Sequence, residues 1–298
     1  MNLEEVDEGI WKVKGGGDGP TLAFLGGVHG NELTGIACIK KLRDEIEAGK
    51  VKISAGTLYL ILGNLKAMKS NTRTSESGKD LNRCFTKDVL DQDVNGVYEM
   101  ERAQKIAKVL KTVDASFDIH STNKPSEPMV LSNVTERHKA LYKWLPAKHL
   151  LTDPEFVLGN EPVTTDEFTN ESGGVGLAYE SGQTTDLTKV EVVYEVLLNL
   201  LRNQGILQDG VSPQPPTQNL QHFKLAGKIL LTDKGFRFAE GKGEASFEGF
   251  KKGDTLAYIG DTPYKAEYDG VFLFPKIKEH WGLGKPTTYF ATEFDPEN

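Results

Sequence analysis

The sequence predicts an α/β fold in which helices flank a mainly parallel or mixed sheet, followed by a smaller all-β domain. Three observations lead to this prediction. Apolar runs of strand length alternate with helical patterns over residues 21–205. A proline-rich stretch then interrupts the pattern. Beyond it, only short apolar runs separated by Gly, Asp and Lys remain.

The strands of the larger domain are predicted from continuous apolar runs, which are typical of strands buried on both faces of a sheet. In chain order the runs are TLAFLGG (21–27), GTLYLILGN (56–64), SFDIH (116–120), PMVLS (128–132) and GVGLAYE (174–180). In sheets of this kind, ligands bind at the carboxyl ends of the strands. Residues at the ends of these runs are therefore the first candidates for a functional site.

Helices are predicted where apolar residues recur at helical spacing between the runs. They cover residues 32–49, 97–113 and 186–205. Gly49 and Gly205 occupy the positions where glycine commonly ends a helix, and Asp186 is a candidate N-cap for the third helix.

The segment QDGVSPQPPTQ (208–218) has three prolines and no apolar periodicity, which is typical of a linker. The sequence therefore predicts an α/β domain over residues 1–207 and a β-rich domain over residues 219–298. Strands of the second domain are predicted in KILLTD (228–233), TLAYIG (255–260), KAEY (265–268) and GVFLFP (270–275).

Composition excludes several classes of function. The net charge of −8 argues against nucleic acid as a partner, because phosphate binding requires a basic surface. No stretch approaches the roughly 18 apolar residues of a membrane span, and the N-terminus lacks the apolar core of a secretory signal. Two cysteines, Cys38 and Cys84, provide no disulfide framework. We expect a cytoplasmic protein that acts on a small molecule, and a homo-oligomer remains open.

One short motif favours a metal site. In GGVHGNE (26–32), His29 and Glu32 stand three residues apart on the turn between a strand and a helix, where both can face one ion. Catalytic zinc sites usually have three protein ligands and one open position. His120, at the end of a strand in the same domain, is the best candidate for the third ligand. The remaining histidines have less suitable positions, and they are His138, His149, His222 and His280.

Four motifs, GGVHGNELTG, DLNRCF, DIHST and AYESG, follow one another between residues 26 and 182. In this order they resemble the succinylglutamate desuccinylase/aspartoacylase family, which is related in fold to the zinc carboxypeptidases. The resemblance covers the whole larger domain, and the β-rich C-terminal part fits it loosely. It implies a zinc-carboxypeptidase-like mixed sheet and an enzyme that hydrolyses the amide bond of a small N-acyl amino acid.

The resemblance also implies a metal centre. One Zn²⁺ per chain would be bound by His29, Glu32 and His120. Two acidic residues of the same motifs, Asp80 and Asp118, are candidates for orienting the zinc-bound histidines.

Roles for four further residues follow from the resemblance. Glu180 in AYESG is implied as the general base and then the general acid. Asn82 and Arg83 in DLNR are implied to hold a carboxylate of the substrate. An arginine ahead of DLNR polarises the scissile carbonyl in this family, and Arg73 is the matching residue here, in a loop about two residues longer than expected.

The sequence departs from aspartoacylases in the expected substrate site. In those enzymes another arginine, shortly before the catalytic glutamate, binds the side-chain carboxylate of the substrate. Here no arginine lies between Arg137 and Arg202. The family's C-terminal tyrosine also has no clear match in KEHWGLGKPTTYF (278–290). The sequence thus favours a substrate with a different side chain, or another cation such as Lys285 in the arginine's place.

Two other functions remain open from the sequence. A zinc carboxypeptidase would use the same chemistry at a site open to a longer peptide. A non-catalytic metal-binding module would bind the ion without needing Glu180.

Overall fold

A twelve-stranded mixed sheet organises the fold, and a second sheet of three strands forms within the C-terminal third of the chain. The computed structural model describes residues 3–217 and 219–296. The ends of the predicted domains (residues 1–2 and 297–298) and the last residue of the predicted linker (218) lie outside the described residues. The strands are β1 (Leu3–Asp7), β2 (Ile10–Lys14), β3 (Gly17–Gly26), β4 (Ala55–Leu62), β5 (Ala115–Thr122), β6 (Met129–Leu131), β7 (His149–Thr152), β8 (Val175–Gln183), β9 (Gln221–Leu230), β10 (Arg237–Phe238), β11 (Gly249–Phe250), β12 (Thr255–Ile259), β13 (Thr262–Lys265), β14 (Gly270–Leu273) and β15 (Pro286–Glu293).

Helices connect and cover the strands. They are α1 (Leu33–Glu47), α2 (Leu65–Ser70), α3 (Lys87–Asp91), α4 (Tyr98–Leu110), α5 (Glu136–Tyr142), α6 (Thr165–Glu171) and α7 (Lys189–Asn203), with short 3-10 turns at Leu81–Arg83 and Lys278–His280. None of the helices in the described part of the chain combines the length and the apolar character needed to cross a membrane.

The main sheet has the strand order β1-β2-β4-β3-β5-β8-β6-β7-β9-β15-β14-β11. At its centre β4, β3, β5 and β8 are parallel neighbours, whereas β2 and β6 join this group antiparallel. The predicted mixed sheet flanked by helices is therefore confirmed. Its relation to the zinc carboxypeptidases remains a prediction.

Alternating residues of β3 show why helices lie on both faces of the sheet. Leu22 and Phe24 belong to an apolar cluster with buried residues of α1 and α7. Ala23 and Leu25 point the other way and join a cluster with buried residues of α4 and α6. Because successive side chains of a strand face opposite sides, a continuous apolar run requires cover on both faces.

Glycines let α1 lie directly against the backbone of the sheet. A Cβ atom added at Gly35 would lie 2.5 Å from the carbonyl oxygen of Ile119 in β5, and one at Gly26 would lie 2.4 Å from the Gly35 oxygen. Larger residues would push α1 away from β3 and β5. This close contact fixes the first turn of α1 beside the carboxyl ends of both strands.

Beyond residue 219 the described chain forms strands and one 3-10 turn, which is consistent with the predicted β-rich region. β9 pairs with β7, and β15, β14 and β11 follow it, so the main sheet continues across the predicted domain boundary. β10, β12 and β13 form the separate small sheet around an aromatic-rich cluster. The division into residues 1–207, 208–218 and 219–298 remains a prediction.

Two local predictions are wrong. The N-cap of α7 is Thr188 rather than Asp186, whose carboxylate instead accepts a hydrogen bond from the Thr188 amide in the turn before the helix. The strand predicted at residues 265–268 lies earlier, at β13. The reason is that Gly260, with a φ of 60°, reverses the chain directly after β12.

The contact of α1 with the sheet gives a stability prediction. Helix propensity alone would make Gly35→Ala stabilising by about 1 kcal/mol. We expect the opposite, a loss of about 1–3 kcal/mol in the free energy of unfolding, because the new methyl group meets backbone that cannot move aside easily. Urea denaturation measures the difference.

Gly16→Ala is the control, since a Cβ at Gly16 meets no atom within 4 Å. It should change stability by no more than about 0.5 kcal/mol. A Gly35→Ala variant as stable as the parent protein would refute the close packing of α1.

Candidate active site

Three neighbouring parallel strands bring the predicted metal and catalytic residues to one edge of the sheet. β3 ends at Gly26, and the chain then turns through His29 and Glu32 into α1. His120 lies near the end of β5 and Glu180 near the end of β8, and the two are direct partners in the register of these strands. Glu32 and His120, 88 positions apart in the chain, therefore meet because parallel strands end together.

The Glu32 carboxylate lies between two imidazoles. Its Oε1 is 2.7 Å from His29 Nδ1, and its Oε2 is 2.8 Å from His120 Nδ1. All three side chains are buried, and one potential ligand atom from each lies within 4.8 Å of the others. Two imidazole nitrogens and a carboxylate oxygen form a ligand set that catalytic zinc sites use. His29, Glu32 and His120 could therefore hold a metal ion.

Each imidazole also has a carboxylate next to its other ring nitrogen, Nε2. His29 Nε2 lies 2.9 Å from Asp80 Oδ1, and His120 Nε2 lies 2.9 Å from Asp118 Oδ2. Both rings present Nδ1 to Glu32. The His29–Asp80 contact is a hydrogen bond, whereas His120 Nε2 and Asp118 lie at ion-pair distance without hydrogen-bond geometry. Metal-binding histidines commonly have such a carboxylate partner, which fixes the tautomer and the ring orientation. The sequence-based expectation for Asp80 and Asp118 agrees with this geometry.

The electrostatics of the group favour charged forms despite burial. Burial would raise the pKa of the Glu32 carboxyl, but the charges of His29 and His120 outweigh it and hold that pKa far below its usual range. Burial would lower the pKa of His120, but the charges of Asp118 and Glu32 raise it well above its usual value. Because metal binding requires neutral imidazoles, a divalent cation would have to displace any proton that these carboxylates favour on His120.

The three side chains of His29, Glu32 and His120, here called the metal group, open into a cavity of about 100 Å³. The lining combines the metal group with basic, acidic and apolar side chains from both halves of the chain. They include Arg73, Asn82, Arg83, Ser121, Thr122, Asn123, Lys124, Leu131, Leu158, Asp166, Glu180, Ser246, Phe274, Lys276 and Tyr289.

Arg73 lies beside the metal group. Its Nη2 donates to Asp80 Oδ2 at 2.9 Å, and its Nη1 is 3.7 Å from Glu32 Oε1. Burial acts to lower the pKa of the Arg73 guanidinium, but the charges of Asp80 and Glu32 outweigh it, so the pKa is raised. The structure thus places a permanent positive charge next to the group that could hold the metal.

Asn82 and Arg83 are fixed by a 3-10 turn that Asp80 caps. Asp80 Oδ1 accepts a hydrogen bond from the Asn82 amide at 3.0 Å, and Asn82 Oδ1 accepts one from the Thr165 amide at 3.1 Å. Arg83 Nη1 donates to the Asn82 carbonyl at 2.7 Å. Both side chains line the cavity. The DLNR motif (80–83) therefore forms one polar wall of the cavity, and these hydrogen bonds hold it in place.

Glu180 lies in the cavity without a partner for one of its oxygens. Oε2 is shielded from solvent and has no hydrogen-bond partner among the described residues. Burial raises the pKa of the Glu180 carboxyl to about 7, and the positive charge of His120 only partly offsets that effect. A carboxyl group with a pKa near neutrality is suited to accept and return a proton.

The C-terminal strands contribute residues that sequence reasoning missed. Tyr289 in β15 is buried and lines the cavity together with Arg83. Lys276, after β14, also lines the cavity, whereas the suggested Lys285 is exposed and does not. The sequence does show a tyrosine within residues 278–290. Whether that tyrosine reaches the cavity depends on how β15 pairs with β9 in the sheet.

Comparison with known proteins agrees with the motifs. A family model described as "Succinylglutamate desuccinylase/Aspartoacylase catalytic domain" matches residues 18–201, which is more than half of the chain. A succinylglutamate desuccinylase of Pseudomonas aeruginosa is 26% identical over 88% of this chain and 82% of that protein. A probable aspartoacylase of Nostoc sp. is 43% identical, but the match spans 34% of this chain and 35% of that protein.

A solved structure shows the same fold. The succinylglutamate desuccinylase of Vibrio parahaemolyticus superposes with a TM-score of 0.75 at 18% identity, covering 96% of this chain and 86% of that one. At this identity the likeness concerns the fold alone. The family model, in contrast, matches the sequence across the strands and turns that carry the site. The chain belongs to the succinylglutamate desuccinylase/aspartoacylase family.

Proposed function

We propose that the protein hydrolyses the amide bond of a small N-acyl amino acid and releases a carboxylate and a free amino acid. The observation that carries this proposal is the convergence of a two-histidine, one-carboxylate group and a partly buried glutamate in one cavity. Family membership supports it, because relatives are named as a desuccinylase, an aspartoacylase and an N-acyl-aromatic-L-amino acid amidohydrolase.

His29, Glu32 and His120 would hold one zinc ion, which is the usual metal for this ligand set. When bound, zinc supplies a Lewis acid that activates water and polarises a carbonyl group. The chain prepares the site by burying the three ligands and by orienting both imidazoles with Asp80 and Asp118.

Glu180 would act as the proton carrier. Hydrolysis of an amide requires removal of a proton from water and delivery of a proton to the leaving nitrogen. The Glu180 carboxylate lies at the same edge of the sheet as the metal group. Its Oε2 has no hydrogen-bond partner in the described part of the chain. It is therefore free to accept the first proton and to donate it afterwards.

Arg73, Asn82 and Arg83 would bind and polarise the substrate. The Arg73 guanidinium, next to Glu32, is placed to stabilise negative charge that develops on the carbonyl oxygen, an effect worth roughly 3 kcal/mol by analogy with a single oxyanion-hole donor. The Arg83 guanidinium can bind a carboxylate through two parallel hydrogen bonds. Its hydrogen bond to the Asn82 carbonyl restricts its orientation.

The C-terminal region supports a small substrate over a long peptide. Ser246, Phe274, Lys276 and Tyr289 come from this region and line the cavity together with the DLNR wall. A pocket bounded in this way encloses a ligand rather than leaving a groove for an extended chain. A carboxypeptidase would instead cleave peptides at least as well as N-acyl amino acids, so assays of both substrate types separate the two activities.

The first prediction concerns the metal. The purified protein should contain one zinc ion per chain, a chelator should abolish hydrolysis, and added zinc should restore it. His120→Ala should lower the zinc content to near zero, because it removes one of three ligands. Elemental analysis and activity assays measure both effects.

His222→Ala is the matched control, since His222 lies in β9 and does not line the cavity. It should retain zinc and activity. Full hydrolysis by protein from which the metal has been removed would contradict the proposed role of the ion.

The second prediction concerns Glu180. Glu180→Gln keeps the size of the side chain but cannot accept a proton, so kcat should fall by about 10²-fold or more while the zinc content stays the same. Steady-state kinetics on a panel of N-acyl amino acids, with short peptides included, measures the loss.

Glu161→Gln, at an exposed position, should leave kcat unchanged. A Glu180→Gln variant that binds zinc and keeps full activity would refute the role of Glu180, and the protein would then be better described as a metal-binding module.

A further inference from the structure

Thr165, the first residue of α6, contacts two parts of the candidate active site from behind its wall. The residue is fully buried. Its hydroxyl Oγ1 donates to Asp118 Oδ2 at 2.6 Å, and its amide donates to Asn82 Oδ1 at 3.1 Å. Asp118 lies beside His120, and Asn82 belongs to the polar wall of the cavity. One residue therefore connects the part of the site that could hold a metal with the part assigned to the substrate.

The Asp118 carboxylate depends on the Thr165 hydroxyl for its orientation. Asp118 is fully buried, and its Oδ1 has no hydrogen-bond partner among the described residues. Its Oδ2 lies 2.9 Å from His120 Nε2, but without hydrogen-bond geometry. Within residues 3–217 and 219–296, the Thr165 hydroxyl is thus the only hydrogen-bond donor to this carboxylate. Because rotation about the Cβ–Cγ bond of an aspartate is soft, that one hydrogen bond decides where Oδ2 lies.

The second contact of Thr165 fixes the direction of the Asn82 side-chain amide. A backbone N–H can only donate, so the Asn82 atom that meets it is the oxygen, and Nδ2 remains a donor toward the cavity that Asn82 lines. This contact involves the backbone of Thr165 and not its side chain. Replacing the Thr165 side chain should therefore affect Asp118 and leave Asn82 in place.

A neighbouring threonine shows what a buried hydroxyl in this helix does when it has no link to the site. Thr169 is as fully buried as Thr165, and its Oγ1 donates to the Thr165 carbonyl four positions earlier at 2.9 Å. Such back-bonding to the previous turn is the usual contact of a helical threonine. The Thr165 hydroxyl instead reaches a carboxylate 47 positions away in the chain. The two residues therefore form a matched pair for experiment.

We propose that Thr165 is a positioning residue that holds the Asp118 carboxylate against His120 and thereby raises the affinity of the site for zinc. Without the hydroxyl, the carboxylate could rotate away from His120 Nε2. The imidazole would then lose the negative charge that fixes its ring and strengthens it as a ligand. The inference rests on the metal site of the proposed function, but it does not depend on the substrate.

The test measures zinc affinity in the full-length protein without substrate. The probe is Zn²⁺ at constant pH, in competition with a chromophoric chelator. Thr165→Val keeps the shape of the side chain and removes the hydroxyl, so the dissociation constant for zinc should rise by about 10-fold or more. Thr165→Ala should give a similar rise, so the test does not depend on the folding of a single variant. Thr165→Ser keeps the hydroxyl and should stay within about threefold of the parent constant.

Thr169→Val is the matched control, because it removes an equally buried hydroxyl from the same helix without touching Asp118. Both valine variants should lower the melting temperature of the metal-free protein, and only Thr165→Val should weaken zinc binding. In zinc-saturated protein, Thr165→Val should keep the parent KM for an N-acyl amino acid, since the backbone contact to Asn82 is intact.

An unchanged zinc constant in Thr165→Val, or an equal rise in Thr169→Val, would overturn the inference. Zinc binding by Thr165→Ser that is as weak as in Thr165→Val would overturn it as well, since the hydroxyl would then not be the cause. The affinities are measured without turnover. A protein that shows the expected zinc constants but hydrolyses no N-acyl amino acid would therefore uphold the role of Thr165 and count against the proposed reaction alone.

Discussion

The buried Glu32 carboxylate between His29 and His120 is the interaction on which the rest of the site depends. A carboxylate that is buried away from solvent is stable only when a positive charge lies nearby and its oxygens accept hydrogen bonds. Both oxygens of Glu32 have an imidazole partner, and Asp80 and Asp118 hold those imidazoles in turn. The result is an ordered set of ligands that a divalent cation can bind without rearrangement of the backbone.

The fold supplies this arrangement through strand order and close packing. β3, β5 and β8 are adjacent and parallel, so their carboxyl ends place the HGNE turn, His120 and Glu180 side by side. Gly35 allows α1 to approach β5, which keeps the turn with Glu32 near His120. The second half of the site comes from the C-terminal strands, which extend the same sheet through the pairing of β7 with β9.

Sequence reasoning predicted the parts of this arrangement that depend on local patterns. Apolar runs locate the central strands, and residues at their ends become site candidates because parallel strands end at one edge. Asp80 and Asp118 could be proposed because they lie within the motifs that carry the site. Tyr289 and Lys276 could not be placed in this way, since their positions depend on the pairing of β15 with β9 and of β14 with β15. The suggestion of Lys285 failed because this residue lies in the exposed turn before β15, a position that the sequence alone did not show.

The proposed metal site is tested most directly by a crystal structure of the zinc-loaded protein with anomalous diffraction measured at the zinc edge. We predict a single strong peak within bonding distance of Nδ1 of His29, a carboxylate oxygen of Glu32 and Nδ1 of His120. A peak elsewhere in the molecule, or coordination that leaves out His120, would contradict it.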